Sequence, residues 1–160
     1  MKLNPLDILF SQYIRMRAIR RVGGCERCLT PKFDKIKEDG TVSPAYKQLQ
    51  CSHFIGRSRR AVRWDADNAA GICAGCHMYL TAHPAEHVRW FMEYVGEQRV
   101  DYLMARNRNR DKPDIQAITI YIKTKIGELD IKTEPLSEAP RSESSPSKAG
   151  SSRKGRREDK

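Results

Sequence analysis

Two Cys-x2-Cys pairs, Cys25/Cys28 and Cys73/Cys76, stand at either end of a long intervening segment, residues 29–72. Four thiols in two such pairs are the ligand set of a tetrahedral structural zinc. A zinc site of this kind closes the chain on itself and staples a domain whose core is too small to hold alone. A fifth cysteine, Cys51, lies between the pairs in Cys51-Ser52-His53. An odd count leaves one thiol over from any disulfide scheme, so the spacing suits metal better and points to a reducing cytoplasm.

A simple zinc finger needs far fewer residues than the 44 that separate Cys28 from Cys73, so that insertion is expected to carry function. It contains His53 and Asn68, and His77 follows the second pair directly. The chain holds Lys+Arg 30 against Asp+Glu 20, a formal charge of +10. Such an excess favours a polyanionic partner and salt-sensitive binding. No apolar run approaches the roughly 18 residues of a membrane-spanning helix. The start, Met1 to Pro5, carries one lysine and no apolar stretch, and does not read as a secretory signal.

Four segments are expected. In 1–24, Asn4 caps a helix with Pro5 in its first turn, and Leu6, Leu9, Phe10, Tyr13 and Met16 recur at helical spacing up to Gly23-Gly24. Segment 25–110 is the Cys/His-rich domain. Turn signals at Thr30-Pro31, Asp39-Gly40 and Ser43-Pro44 make its first half loop-rich. Its second half predicts helices from Cys76 to about Thr81, from Pro84 to Val95, and from about Glu97 to Arg106. In 111–131, Ile115, Ile118, Ile122, Ile126 and Leu129 step as a helix, though Ile118 to Ile122 also reads as a strand. Segment 132–160 is Ser-, Pro- and charge-rich with a terminal basic cluster. So few apolar residues cannot offset ordering entropy, which predicts a disordered tail.

The stretch from Cys51 to Asn68, including Arg63-Trp64-Asp65-x-Asp67-Asn68, continues into Ile72-Cys73-Ala74-Gly75-Cys76-His77. It resembles the His-Asn-His motif of HNH (His-Me finger) endonucleases, and among them the phage lambda NinG (Rap) type of recombination protein. His53 to Asn68 is 15 positions and Asn68 to His77 is 9, the spacing that motif uses. The match runs over roughly residues 5–105, from Ile14-Arg15-Met16-Arg17 of the first helix to Trp90-Phe91 after the second pair. It implies an α+β fold: a small zinc-stapled ββα-metal core with flanking helices.

The resemblance also assigns roles. His53, on the first strand, would be the general base that takes a proton from the attacking water; the plainer alternatives are an extra zinc ligand or a core histidine. Asn68 would hold the loop that aims the base, although an Asn after an Asp is commonly a turn or cap. His77 would bind one catalytic divalent ion, Mg²⁺ or Mn²⁺; its alternative is a zinc ligand. Two positions depart from the family pattern. Ser52 stands where many members carry a metal ligand, and Thr81 stands four residues after the helix histidine, where many carry another. His83 is a candidate in its place, or equally a helix cap. Cys51 reads as a buried thiol.

Arg57, Arg59, Arg60 and Arg63 form a cationic loop suited to phosphate oxygens, or else a solvated one. Arg106, Arg108, Arg110 and Lys112 read as a solvated face. Trp64 and Trp90 favour core packing over base stacking, and His87, Trp90, Phe91 and Tyr94 form a helix face packed on the cysteine knuckle. The resemblance implies hydrolysis of phosphodiesters in DNA, duplex or branched (Holliday junction or D-loop), within phage or prophage recombination in the host cytoplasm. Recombination proteins are candidate partners, and a resolvase cutting both strands would be a homodimer. The competing readings are a non-catalytic zinc-stabilised nucleic-acid-binding module and a scaffold that recruits a recombinase through its basic tail.

Overall fold

The computed structural model describes residues 4–108 and 112–131; the expected disordered tail and Arg110 lie outside them. Helix α1 spans Pro5–Val22, its start set by Asn4, whose side chain accepts the Leu6 N–H at 2.9 Å, with Pro5 following. Gly23 ends it at φ 66°, a left-handed conformation that glycine adopts without a Cβ clash. A two-residue hairpin follows, β1 (Lys35–Ile36) against β2 (Val42–Ser43), turned by Asp39, which accepts the Thr41 N–H and hydroxyl.

The centre of the molecule is a second antiparallel pair. β3 (Leu49–His53) lies against β4 (Ala69–Cys73), with Leu49 opposite Cys73, Cys51 opposite Gly71 and His53 opposite Ala69. Helix α2 (Ala74–Ala82) leaves β4 directly, with Cys73 as its N-terminal cap. Then come α3 (Pro84–Val95), α4 (Glu97–Arg108) and α5 (Ile115–Ile131). The fold is α+β, and among the described residues it has five α-helices and two small antiparallel sheets. No helix of the described residues is long and apolar enough to cross a membrane.

Side chains from successive positions of β4 fall on opposite faces, and each face has its own core. Ala70 and Ile72 join Leu49, Cys25, Cys76, Leu80 and Phe91 on one side. Ala69 joins Leu6, Phe10, Tyr13, Ile14, Trp64 and Ile122 on the other. The segment 118–122 is helical: Ile122 is buried against α1, with Ile118, Ile126 and Leu129 beside it. Spacing by three and four residues places these side chains on one helical face, and burial of that face outweighs the strand preference of the β-branched run. Trp90 and Tyr94 pack beside Phe91 against the cysteine knuckle, as the helical spacing predicted.

Helix α1 is tied to the sheet by buried charge. The Glu26 carboxylate accepts the Gly71 N–H at 2.7 Å and faces Arg21 and Arg17 at 3.2 and 3.6 Å. Arg17 donates to the carbonyls of Ala66 and Ala69 at 2.8 and 2.7 Å. A Cβ on Gly71 would stand 2.5 Å from the Ala18 Cβ, so the helix approaches the strand here as closely as a glycine allows.

Candidate functional site

The four cysteines of the two pairs converge. Their sulfur atoms all lie within 4.8 Å of one another, and Cys28 Sγ is 3.9 Å from Cys73 Sγ. A tetrahedral zinc with bonds of about 2.3 Å sets its sulfurs about 3.8 Å apart, so the cluster fits that ion. Groups around it favour thiolates: the Cys73 N–H donates to Cys25 Sγ at 3.2 Å, Arg27 reaches Cys76 Sγ at 3.6 Å, and the Cys28 sulfur is 3.1 Å from the Thr30 hydroxyl. The Thr30 hydrogen bond draws the Cys28 thiol down to about 6, whereas burial pushes Cys76 up to about 12 and raises Cys25. A bound dication supplies the charge that burial withholds from those two. Cys51 lies outside the cluster. Burial raises it to about 12, so it remains a thiol.

His53 is the last residue of β3, half-buried, with its ring 5.5 Å from that of Phe10. Its Nε2 is 3.0 Å from the Arg63 carbonyl. A carbonyl only accepts, so Nε2 carries the proton and the lone pair resides on Nδ1. Cys51 Sγ stands 4.0 Å from that Nδ1. Burial, with the Arg57 charge adding to it, lowers the ring to about 4 against the pull of the Arg63 hydrogen bond.

Asn68 is fully buried and uses its whole amide. Oδ1 accepts the Ile55 N–H at 2.8 Å, and Nδ2 donates to the carbonyls of Ile55 at 3.0 Å and Val62 at 2.9 Å. It closes the loop after β3, and Val62 immediately precedes the residue whose carbonyl receives His53. Arg57, Arg59 and Arg60 project from this loop into solvent, and among the described residues none of them has an ion-pair partner. Arg59 and Arg60 line a hollow of about 330 Å³ with Lys112. Arg63 faces elsewhere: it pairs bidentately with Asp7 of α1.

His77, in the first turns of α2, places Nδ1 2.5 Å from the Gln50 side-chain oxygen, which leaves its Nε2 with the lone pair. His53, His77 and His87 line one hollow of about 340 Å³, together with Ser52, Phe54 and Thr81. His83 is not among its lining residues. That ring is exposed, stacks on Tyr79 at 4.2 Å and donates from Nδ1 to the Tyr79 carbonyl at 2.8 Å. His87 is a site neighbour that sequence reasoning placed with the packing residues. Its Nε2 is buried without a hydrogen-bond partner, and burial, with the neighbouring His77 ring adding to it, lowers its pKa. Only its position ten residues after His77 could have marked it.

A hollow of about 350 Å³ between α4 and α5 has no histidine, and its carboxylates Asp65 and Asp67 are paired with Arg106 and Arg99. Arg106 is therefore engaged rather than part of a solvated face. Trp64 is buried, with its indole N–H on Asp7. Comparison with family models, curated proteins and solved structures gives no match.

Proposed function

We propose that this chain is a metal-dependent DNA endonuclease of the HNH type, hydrolysing phosphodiester bonds within a zinc-stapled ββα core formed by β3, β4 and α2. The observation that carries the reading is that His53 and His77 line one hollow, each with one ring nitrogen committed to a fixed acceptor. A base must be neutral at working pH with an unprotonated nitrogen, and Nδ1 of His53 is that nitrogen, met only by the weak Cys51 S–H donor at 4.0 Å. As the ring takes the proton of the attacking water, the Arg63 carbonyl stabilises the imidazolium that forms. Asn68 holds the loop on which that carbonyl sits. Arg57, Arg59 and Arg60 clamp phosphate oxygens.

His77 Nε2 would hold the catalytic cation, with His87 facing the same hollow. Among the described residues no group of three His, Cys, Asp or Glu donors forms outside the four cysteines, so water and phosphate oxygens would have to complete the set. Imidazole donors favour Mn²⁺ over Mg²⁺. The ion supplies charge stabilisation at the phosphoryl and leaving oxygens. Phage or prophage recombination in the host cytoplasm, on branched DNA and with recombination proteins as partners, is the setting proposed from the motif; a homodimer would allow both strands to be cut.

A second reading, a non-catalytic zinc-stabilised nucleic-acid-binding module, is favoured by the Cys51 sulfur beside the nitrogen the base needs and by the sparse donor set. Cleavage of labelled linear duplex and four-way junction with Mg²⁺ or Mn²⁺ separates the two. Under the nuclease reading wild type cuts, and His53→Ala binds DNA and zinc without cutting. Zinc-loaded wild type that binds both substrates and cuts neither establishes the module.

A further inference from the structure

The His53 ring is oriented by a backbone carbonyl, so whatever fixes residue 63 fixes the base. Arg63 lies in the loop between β3 and β4, and its own N–H reaches the Arg60 carbonyl only at 3.4 Å. Its side chain is held far more firmly. Asp7 Oδ1 accepts Arg63 Nε at 2.9 Å, Oδ2 accepts Arg63 Nη2, and the Trp64 indole N–H reaches Oδ1 at 2.8 Å. The Arg63 guanidinium also lies over the Trp64 ring at 5.1 Å. One carboxylate thus receives three hydrogen bonds from two consecutive residues, and the first of these presents its carbonyl to His53 at 3.0 Å.

We propose that Asp7, in the first turn of α1, is a positioning residue for the His53 base, acting through Arg63. The inference rests on the nuclease reading. Bidentate pairing fixes the plane of a guanidinium as well as its distance, and the Trp64 bond restrains the next residue. Together they hold the carbonyl between the two side chains where His53 must donate from Nε2, leaving Nδ1 as the basic nitrogen. The N-terminal helix, distant in sequence from the His-Asn-His residues, becomes part of the site. Arg63 is then separate from the phosphate clamp of Arg57, Arg59 and Arg60, because two of its donors are spent on Asp7. The plainer alternative is an ion pair that ties α1 to the loop and leaves the ring as it is.

The test uses full-length, zinc-loaded chains of wild type, Asp7→Asn and Arg63→Lys. The first readout is nitrogen-15 NMR of the His53 ring without DNA, assigned against His53→Gln. Wild type is expected as a single Nε2–H tautomer, and both variants as a mixture of tautomers. The second is cleavage at saturating DNA with Mn²⁺: turnover falls about tenfold to a hundredfold, with DNA affinity within about twofold of wild type. An unchanged ring spectrum in both variants overturns the proposal. So does an Arg63→Lys chain that loses DNA affinity while cutting at the wild-type rate on saturating DNA. Trp64→Phe removes one of the three hydrogen bonds and keeps the packing; where the charge variants do not fold, its ring spectrum decides, a mixture supporting the brace and a single tautomer refuting it. If wild type cuts no DNA, the nuclease reading fails, and the ring spectrum still decides whether Asp7 sets the tautomer.

Discussion

A neutral imidazole at His53 follows from burial, which lowers its pKa to about 4. For cutting, the acid limb of the turnover profile is expected below pH 6, well under that of an unperturbed imidazole, measured as single-turnover rate from pH 4.5 to 8. For stability the sign follows from linkage. As pH falls, the unfolded ring takes up its proton near the usual value of about 6.5, before the folded ring does. The contribution is therefore fully present above that value and is lost as pH drops through about 4, reaching at most about 3 kcal/mol. His87 shifts in the same direction. Urea denaturation at pH 7 and pH 5 should show a smaller loss for His53→Gln than for wild type. Asn68 is argued separately, since its amide satisfies one N–H and two carbonyls in a buried setting. Asn68→Ala leaves all three unpartnered and should cost about 3 kcal/mol by urea denaturation. Under the proposed nuclease reading the same variant should also abolish cutting, because the loop holding Arg63 is released.

Among the elements, α1 and β4 meet with no slack. A methyl on Gly71 would stand 2.5 Å from the Ala18 Cβ and 3.1 Å from the Ile14 carbonyl. Gly71→Ala is expected to cost about 1–3 kcal/mol by overpacking, and Ala18→Gly should recover part of that loss. Thermal unfolding of both single variants and the double variant checks this; strict additivity would refute the contact. Element boundaries were legible where local chemistry sets them. Asn4-Pro5 and Gly23 bound α1, and Pro84 and Gly96 bound α3, through capping and restricted φ alone. From residue pattern alone β3 and β4 were not legible. Leu49-Gln50-Cys51-Ser52 alternates apolar and polar over only four positions and Ala69-Ala70-Gly71-Ile72-Cys73 does not alternate, and each is a strand because it pairs with the other across residues 54–68. The strand for His53 came from the family resemblance, not from periodicity.

At the scale of the molecule, the cysteine cluster ties residues near the end of α1 to the start of α2, across the whole of the β3 loop. Metal held there stabilises only the folded chain, and structural zinc sites contribute about 10 kcal/mol or more near neutral pH, comparable to the whole stability of a domain, roughly 5–15 kcal/mol. Chelation should release one zinc per chain and abolish the cooperative melt, followed by circular dichroism and a colorimetric zinc assay. Cys28→Ser should do the same without chelator. Retention of a cooperative melt after complete zinc release would show that the two cores suffice.

Sequence by itself determined the ligand spacing of the four cysteines, the basic charge, the helix caps and the order His53, Asn68, His77. Each is a local or compositional property, readable without knowing what lies nearby in space. Tertiary structure alone decided which side chains share the site. It brought His87 of α3 to the hollow of His53 and His77, left His83 outside it, and turned Arg63 toward Asp7, 56 positions away. Those outcomes depend on how α1, the sheet and α3 pack, and packing is fixed by long-range burial that no local spacing encodes.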